Sequence, residues 1–112
     1  MKIAIIGSRS LIVEKIENYL PENITEIVSG GATGIDCCAR DYAKANKIKL
    51  TEFLPPYDKY PGRIAPLMRN DEIISYADAV IAFWDGKSRG TSYMIKKCRE
   101  MSVPCRVFKI VI

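Results

Sequence analysis

With 112 residues the chain is long enough for one domain around a single core, burying roughly 65% of the surface its unfolded form exposes. Its hydrophobic share of 48% and charged share of 27% exclude a disordered or low-complexity protein. Seventeen basic residues against 13 acidic ones give a net charge of +4 without a long basic run, and no apolar stretch approaches the length of a membrane span, which argues against a membrane partner.

The apolar run from Met1 to Ile6 is too short for a signal peptide, so a cytoplasmic location is expected. The chain has no histidine, which removes every histidine-dependent triad and the usual general base. Cys37, Cys38, Cys98 and Cys105 form no C-x-x-C pair, so they read as free thiols, and neither a metal nor a separate cofactor is expected.

In chain order, Lys2 to Ile6 is an almost wholly apolar run closed by Gly7-Ser8-Arg9, which suits a central parallel strand covered on both faces. Leu11, Ile12, Ile16, Tyr19 and Leu20 then recur at helical spacing up to Pro21, predicting a helix with Ser8 or Ser10 as its N-cap. A short strand over Glu26 to Ser29 leads into Gly30-Gly31-Ala32-Thr33-Gly34. From Ile35 the pattern Ile35, Cys38, Ala39, Tyr42, Ala43 marks a helix ending near Asn46. Ile48 to Leu54 reads as the third strand. The proline-rich stretch from Pro55 to Gly62 can continue neither kind of element and reads as a loop. Pro66 opens the next helix, which runs to about Tyr76. Ala79 to Trp84 is the fourth strand, Asp85-Gly86-Lys87-Ser88-Arg89-Gly90-Thr91 a second glycine-bearing bend, and a helix with Met94, Ile95, Cys98 and Met101 on one face follows. Cys105 to Ile110 is the fifth strand.

Strands alternating with helices imply βαβ units and an α/β fold: a three-layer Rossmann-like sandwich on a five-stranded parallel sheet. The long irregular connection from Pro55 to Gly62 falls where the chain must jump back across the first strand, which predicts the order 3-2-1-4-5 and a switch point between strands 1 and 4.

That order puts three strand-to-helix bends on one edge of the sheet: Gly7-Ser8-Arg9, Gly30 to Gly34, and Asp85 to Thr91. Glycines let the backbone bring N–H groups up to a ligand, and helix N-termini carry partial positive charge. Arg9, Arg69, Lys87 and Arg89 all fall at or just before predicted first turns, where cations are disfavoured unless an anion sits beside them. The expectation is a phosphate-bearing ligand, with Asp36 and Asp85 able to pair with these arginines in an empty site. Gly86-Lys87-Ser88 is not the end of an NTPase P-loop, because Ile81 stands where that motif needs glycine, and no G-x-G-x-x-G follows the first strand.

Taken in order, Gly7-Ser8-Arg9, Gly30-Gly31-Ala32-Thr33-Gly34-Ile35-Asp36, Arg69-Asn70 and Trp84-Asp85-Gly86-Lys87-Ser88-Arg89-Gly90-Thr91 resemble the SLOG superfamily, most closely its small YspA/YpsA-related branch. The resemblance spans nearly the whole chain. It implies a Rossmann-like domain that binds a nucleotide or nucleotide-derived molecule, with Gly30, Gly31, Gly34, Gly90 and Thr91 holding phosphate and Arg69 contacting the ligand near the sugar. Superfamily members often pair, so a homodimer is among the expectations the resemblance carries.

Two further activities follow from relatives within that superfamily. LOG enzymes are phosphoribohydrolases that release the base from a nucleoside 5′-monophosphate, and DprA binds single-stranded DNA. The LOG motif P-G-G-x-G-T-x-x-E ends in a catalytic glutamate, however, and the third residue after Thr91 here is Met94. Asp36, Asp71 and Asp85 are the carboxylates left to stand in for it. Nucleic-acid binding ranks third, since the chain shows no basic track or aromatic ladder.

Overall fold

A computed structural model describes residues 1–110. Five strands, β1 (Lys2–Gly7), β2 (Glu26–Ser29), β3 (Lys49–Glu52), β4 (Ala79–Trp84) and β5 (Cys105–Lys109), form one sheet in the order β3-β2-β1-β4-β5. Every pairing is parallel. Helices α1 (Ile35–Ala45), α2 (Ala65–Tyr76) and α3 (Arg89–Glu100) flank it, giving the Rossmann-like α/β architecture and the strand order that the alternation of elements predicts.

Side-chain alternation divides the core into two halves. Ile3, Ile5, Ile27, Ile81 and Phe83 face Ile35, Ala39 and Ala43 of α1, whereas Ala4, Ile6, Val28, Val80 and Ala82 face Ile73 and Ile74 of α2 and Met94 and Cys98 of α3. Because β1 and β4 are covered on both faces, their sequences are apolar throughout rather than alternating. Tyr19 closes the α1 side by packing edge-on against Phe83 and Phe108, with ring centroids 5.2 and 4.9 Å away.

The helix expected over Leu11 to Leu20 does not form. In its place the chain runs irregularly to a single 3₁₀ turn at Ile16–Tyr19, which has no side-chain N-cap. Leu11 and Ile16 are buried, but Ile12 between them is 77% exposed, so the apolar spacing that suggested a helix does not describe one buried face. The cause lies just upstream. Ser8 and Leu11 close a turn through a 3.2 Å backbone bond, and the backbone of Arg9 lies against Gly34 at the head of α1, which directs the chain across that helix instead of into one of its own. Neither Ser8 nor Ser10 therefore caps a helix. Boundary differences elsewhere are small, β3 being shorter than the predicted Ile48 to Leu54 and β5 ending at Lys109. Among the described residues, no helix is long and apolar enough to cross a membrane.

Candidate functional site

A cavity of about 470 Å³ opens at the carboxyl ends of β1, β2 and β4, at the switch point between β1 and β4. Its apolar side is built by Ile6, Leu67, Ile73 and Met94; its polar side by Ser8, Arg69, Asn70, Asp36, Asp85 and Ser88.

Arg69 dominates the polar side. It lies on the inner face of α2 and is only 7% exposed. Its Nη1 donates to the Gly30 carbonyl at 2.7 Å and its Nε to Asn70 Oδ1 at 2.8 Å. Both acceptors are neutral. Among the described residues the guanidinium forms no ion pair, and its Nη2 has no hydrogen-bond partner. Burial lowers its pKa, with Asp36 opposing that effect, but an arginine keeps its charge at any pH a protein meets. Gly30 is glycine because of this arrangement: a Cβ there would stand 2.6 Å from Arg69 Nη1.

The second feature is the head of α3. Ser88 caps it, its Oγ accepting from the Thr91 N–H at 3.4 Å, while the Arg89 and Gly90 N–H groups find no acceptor among the described residues. Gly90 lines the cavity, and a Cβ at this position would meet nothing within 4 Å. Its φ is not positive, so neither packing nor conformation requires a glycine here. The missing side chain leaves bare backbone against open space. Trp84 steadies this bend through a 3.0 Å bond from its indole N–H to the Ser88 carbonyl, and does not line the cavity.

Two carboxylates occupy the bends. Asp85 Oδ1 accepts from the Lys87 and Ser88 N–H groups at 2.8 Å each, and Ser10 Oγ reaches Oδ2 at 3.4 Å. Those backbone donors hold its pKa below the ordinary aspartate value. The buried Ser8 ties the same bend to β1, its Oγ accepting from the Asp85 N–H at 3.3 Å. Asp36, in the first turn of α1, accepts from the Ala32 N–H at 3.1 Å. Its pKa is raised, because burial outweighs that bond and the nearby Arg69.

The sequence-predicted residues divide accordingly. Gly7, Ser8, Arg9, Gly30, Ala32, Asp36, Arg69, Asn70, Asp85, Ser88, Gly90 and Thr91 line one cavity. Gly31, Thr33, Gly34 and Gly86 do not. Gly31 is exposed, with the Leu54 and Glu52 side chains beside it, Gly34 backs onto Arg9, Gly86 meets the Lys109 side chain, and Thr33 is exposed.

Of the four cations expected at helix starts, Lys87 and Arg89 stand at one and Arg9 and Arg69 do not. No helix follows Arg9, and Arg69 sits a full turn inside α2. Lys87 and Arg89 do flank the start of α3, both exposed. Of the carboxylates considered for acid–base work, Asp71 accepts from the Tyr93 hydroxyl at 2.8 Å, between α2 and α3, and does not line the cavity. Ile6, Ser10, Pro66, Leu67, Ile73 and Met94 also line the cavity and were not among the expected ligand contacts; the Pro66-Leu67 pair was findable, because the first turn of α2 must approach the same sheet edge as the bends.

Among the described residues no cluster of three or more histidine, cysteine, aspartate or glutamate side chains could hold a metal ion. Comparison of the chain with protein-family models, with curated proteins and with solved structures finds no match.

Proposed function

We propose that this chain binds a nucleotide or nucleotide-derived molecule through its phosphate, in the cavity between β1 and β4. The observation that carries the reading is Arg69: a buried guanidinium held by two neutral acceptors, with Nη2 unbonded, on the wall of a cavity. A guanidinium with little exposure, no ion pair and one nitrogen open to the cavity is preorganised for a complementary anion. The free N–H groups at the head of α3 supply the additional donors that phosphate recognition uses. The apolar wall of Ile6, Leu67, Ile73 and Met94 suits the base, and the volume of about 470 Å³ lies within the range of small-molecule sites. The ordered motif resemblance to the SLOG superfamily points the same way.

Calorimetry with mononucleotides, cyclic nucleotides, ADP-ribose and NAD tests this. At least one should bind, and Arg69→Met should weaken it about 100-fold, the equivalent of roughly 3 kcal/mol for charge-assisted bonds. The same variant takes the donors from the Gly30 carbonyl and Asn70 Oδ1, so Tm should fall by a few degrees while circular dichroism shows the fold retained. No binding by any member of the panel at millimolar concentration would end the reading.

A second reading, hydrolysis of a nucleoside 5′-monophosphate to base and ribose 5-phosphate, draws on Asp36 alone. It is the cavity carboxyl whose pKa is raised, as a general acid requires, and it stands beside Arg69. Base release from a nucleoside monophosphate that disappears in Asp36→Asn would support hydrolysis; bound but unturned nucleotide would leave binding as the activity.

A further inference from the structure

Gly30 marks the point where two opposite charges come close without pairing. A Cβ on this residue would stand 2.6 Å from Arg69 Nη1 and 3.1 Å from Asp36 Oδ2, so the guanidinium and the carboxylate flank the same few ångströms of cavity wall. They nevertheless form no ion pair: Arg69 is committed to the Gly30 carbonyl and Asn70, and Asp36 to the Ala32 N–H. An anion drawn to Arg69 therefore arrives beside a second negative charge.

The groups around Asp36 set how that conflict resolves. Arg69 faces it from α2 and Arg9 from the connection after β1, and both favour its ionised form. Glu52, at the end of β3, lies on the far side of Gly31, where a Cβ would be 3.4 Å from its Oε2. An incoming anion neutralises the two arginines' influence and adds repulsion, and the site lacks a further cation among its lining residues to offset this. Protonating the carboxylate removes the conflict, and burial already moves its pKa in that direction.

We propose that Asp36 couples anion binding to the uptake of one proton: as the anion seats on Arg69, the neighbouring carboxylate takes a proton from solvent and becomes the neutral acid. This deepens the nucleotide reading and uses the same cavity, but its test needs no nucleotide. Linkage fixes the sign. If the bound state has the higher Asp36 pKa, affinity is greatest below the free-state pKa and falls as pH rises from the free-state value to the bound-state value, by up to tenfold per pH unit. Asp85, the other carboxylate of the cavity, is held ionised by the Ser88 and Lys87 N–H groups, the chain has no histidine, and the Met1 amine lies at the amino end of the sheet, bonded to Thr25.

Sulfate is the probe, because it remains a dianion across this range. Titrations at constant ionic strength between pH 5 and 8, followed through the Gly30 and Gly90 amide resonances, should give a dissociation constant that rises at least threefold with pH. Asp36→Asn keeps an acceptor for the Ala32 N–H and removes the charge. It should flatten the profile and bind more tightly than the parent at pH 8. The Asp36 carboxyl ¹³C shift of the unaltered protein offers a reading independent of the variant: saturating sulfate should raise its pKa. An unchanged carboxyl pKa, the parent's pH slope persisting in Asp36→Asn, or no response of either amide to 100 mM sulfate overturns the proposal. Sulfate coupling without binding of any nucleotide would leave it standing and overturn the nucleotide reading alone.

Discussion

The bend after β2 and the bend after β4 are similar in sequence, each carrying glycines, a hydroxyl residue and an aspartate and each leading into a helix, yet the fold puts them to different use. After β2, Gly34 is wanted by the chain itself. It has φ 68° and ψ −123°, a region open almost only to glycine, and the Arg9 carbonyl oxygen would lie 2.4 Å from any Cβ. Gly30 is wanted by the site, since it makes room for Arg69. After β4, Asp85 closes the bend internally by taking the Lys87 and Ser88 N–H groups, and Gly90 alone is left with no demand from packing or conformation. A glycine-rich bend is therefore not a cradle by composition. What distinguishes the glycines is what a side chain would meet.

Alanine substitution turns that contrast into a graded series. Gly34→Ala should have the largest effect, a loss of roughly 3 kcal/mol or more of stability from strain and backbone collision together, visible as a fall in Tm on the order of 10 °C. If Gly34→Ala melts with the parent, the account of the first bend is wrong. Gly30→Ala should act on binding instead. The atom in its way is the tip of a flexible side chain, so Tm should move little while Arg69 is displaced and ligand affinity drops nearly as far as in Arg69→Met. Calorimetry showing undiminished affinity in Gly30→Ala would separate the glycine from the arginine. The smallest change belongs to Gly90→Ala, expected to gain about 0.5 kcal/mol through reduced unfolded-state entropy and to weaken binding roughly tenfold by placing a methyl group over the free N–H groups. Equal affinity there would mean that the ligand does not approach the head of α3.

The two carboxylates extend the comparison to pH. Asp85 is stabilised as the anion by backbone donors, and its contribution to stability, present above the unfolded aspartate pKa of about 3.9, is lost as pH falls through its lower folded value. Asp36 behaves oppositely: its raised pKa means that the folded state holds the proton more tightly, so its contribution declines as pH rises from the unfolded value to the folded one. One aspartate belongs to the architecture of its bend, and the other is poised to respond to what enters the cavity.

Much of the fold was legible in the sequence because the relevant signals are local. The apolar runs Lys2 to Ile6 and Ala79 to Trp84, each followed by a glycine-bearing turn, identify buried parallel strands, and the proline-rich Pro55 to Gly62 connection marks the crossing from one edge of the sheet to the other. That was enough to determine the element order, the strand order 3-2-1-4-5 and the edge on which the bends assemble. The helix expected after β1 failed for a nonlocal reason: the chain there is directed by its contact with Gly34, 25 residues from Arg9, and spacing of apolar residues carries no record of that contact. The tertiary structure likewise decided which charge matters. Arg9, Lys87 and Arg89 read like Arg69 in sequence, but they are exposed, and only Arg69 is buried with neutral partners at the cavity wall. Strand and helix follow from patterns within a few residues; burial of a charge follows from the packing of α2 against the end of β2, which no local pattern contains.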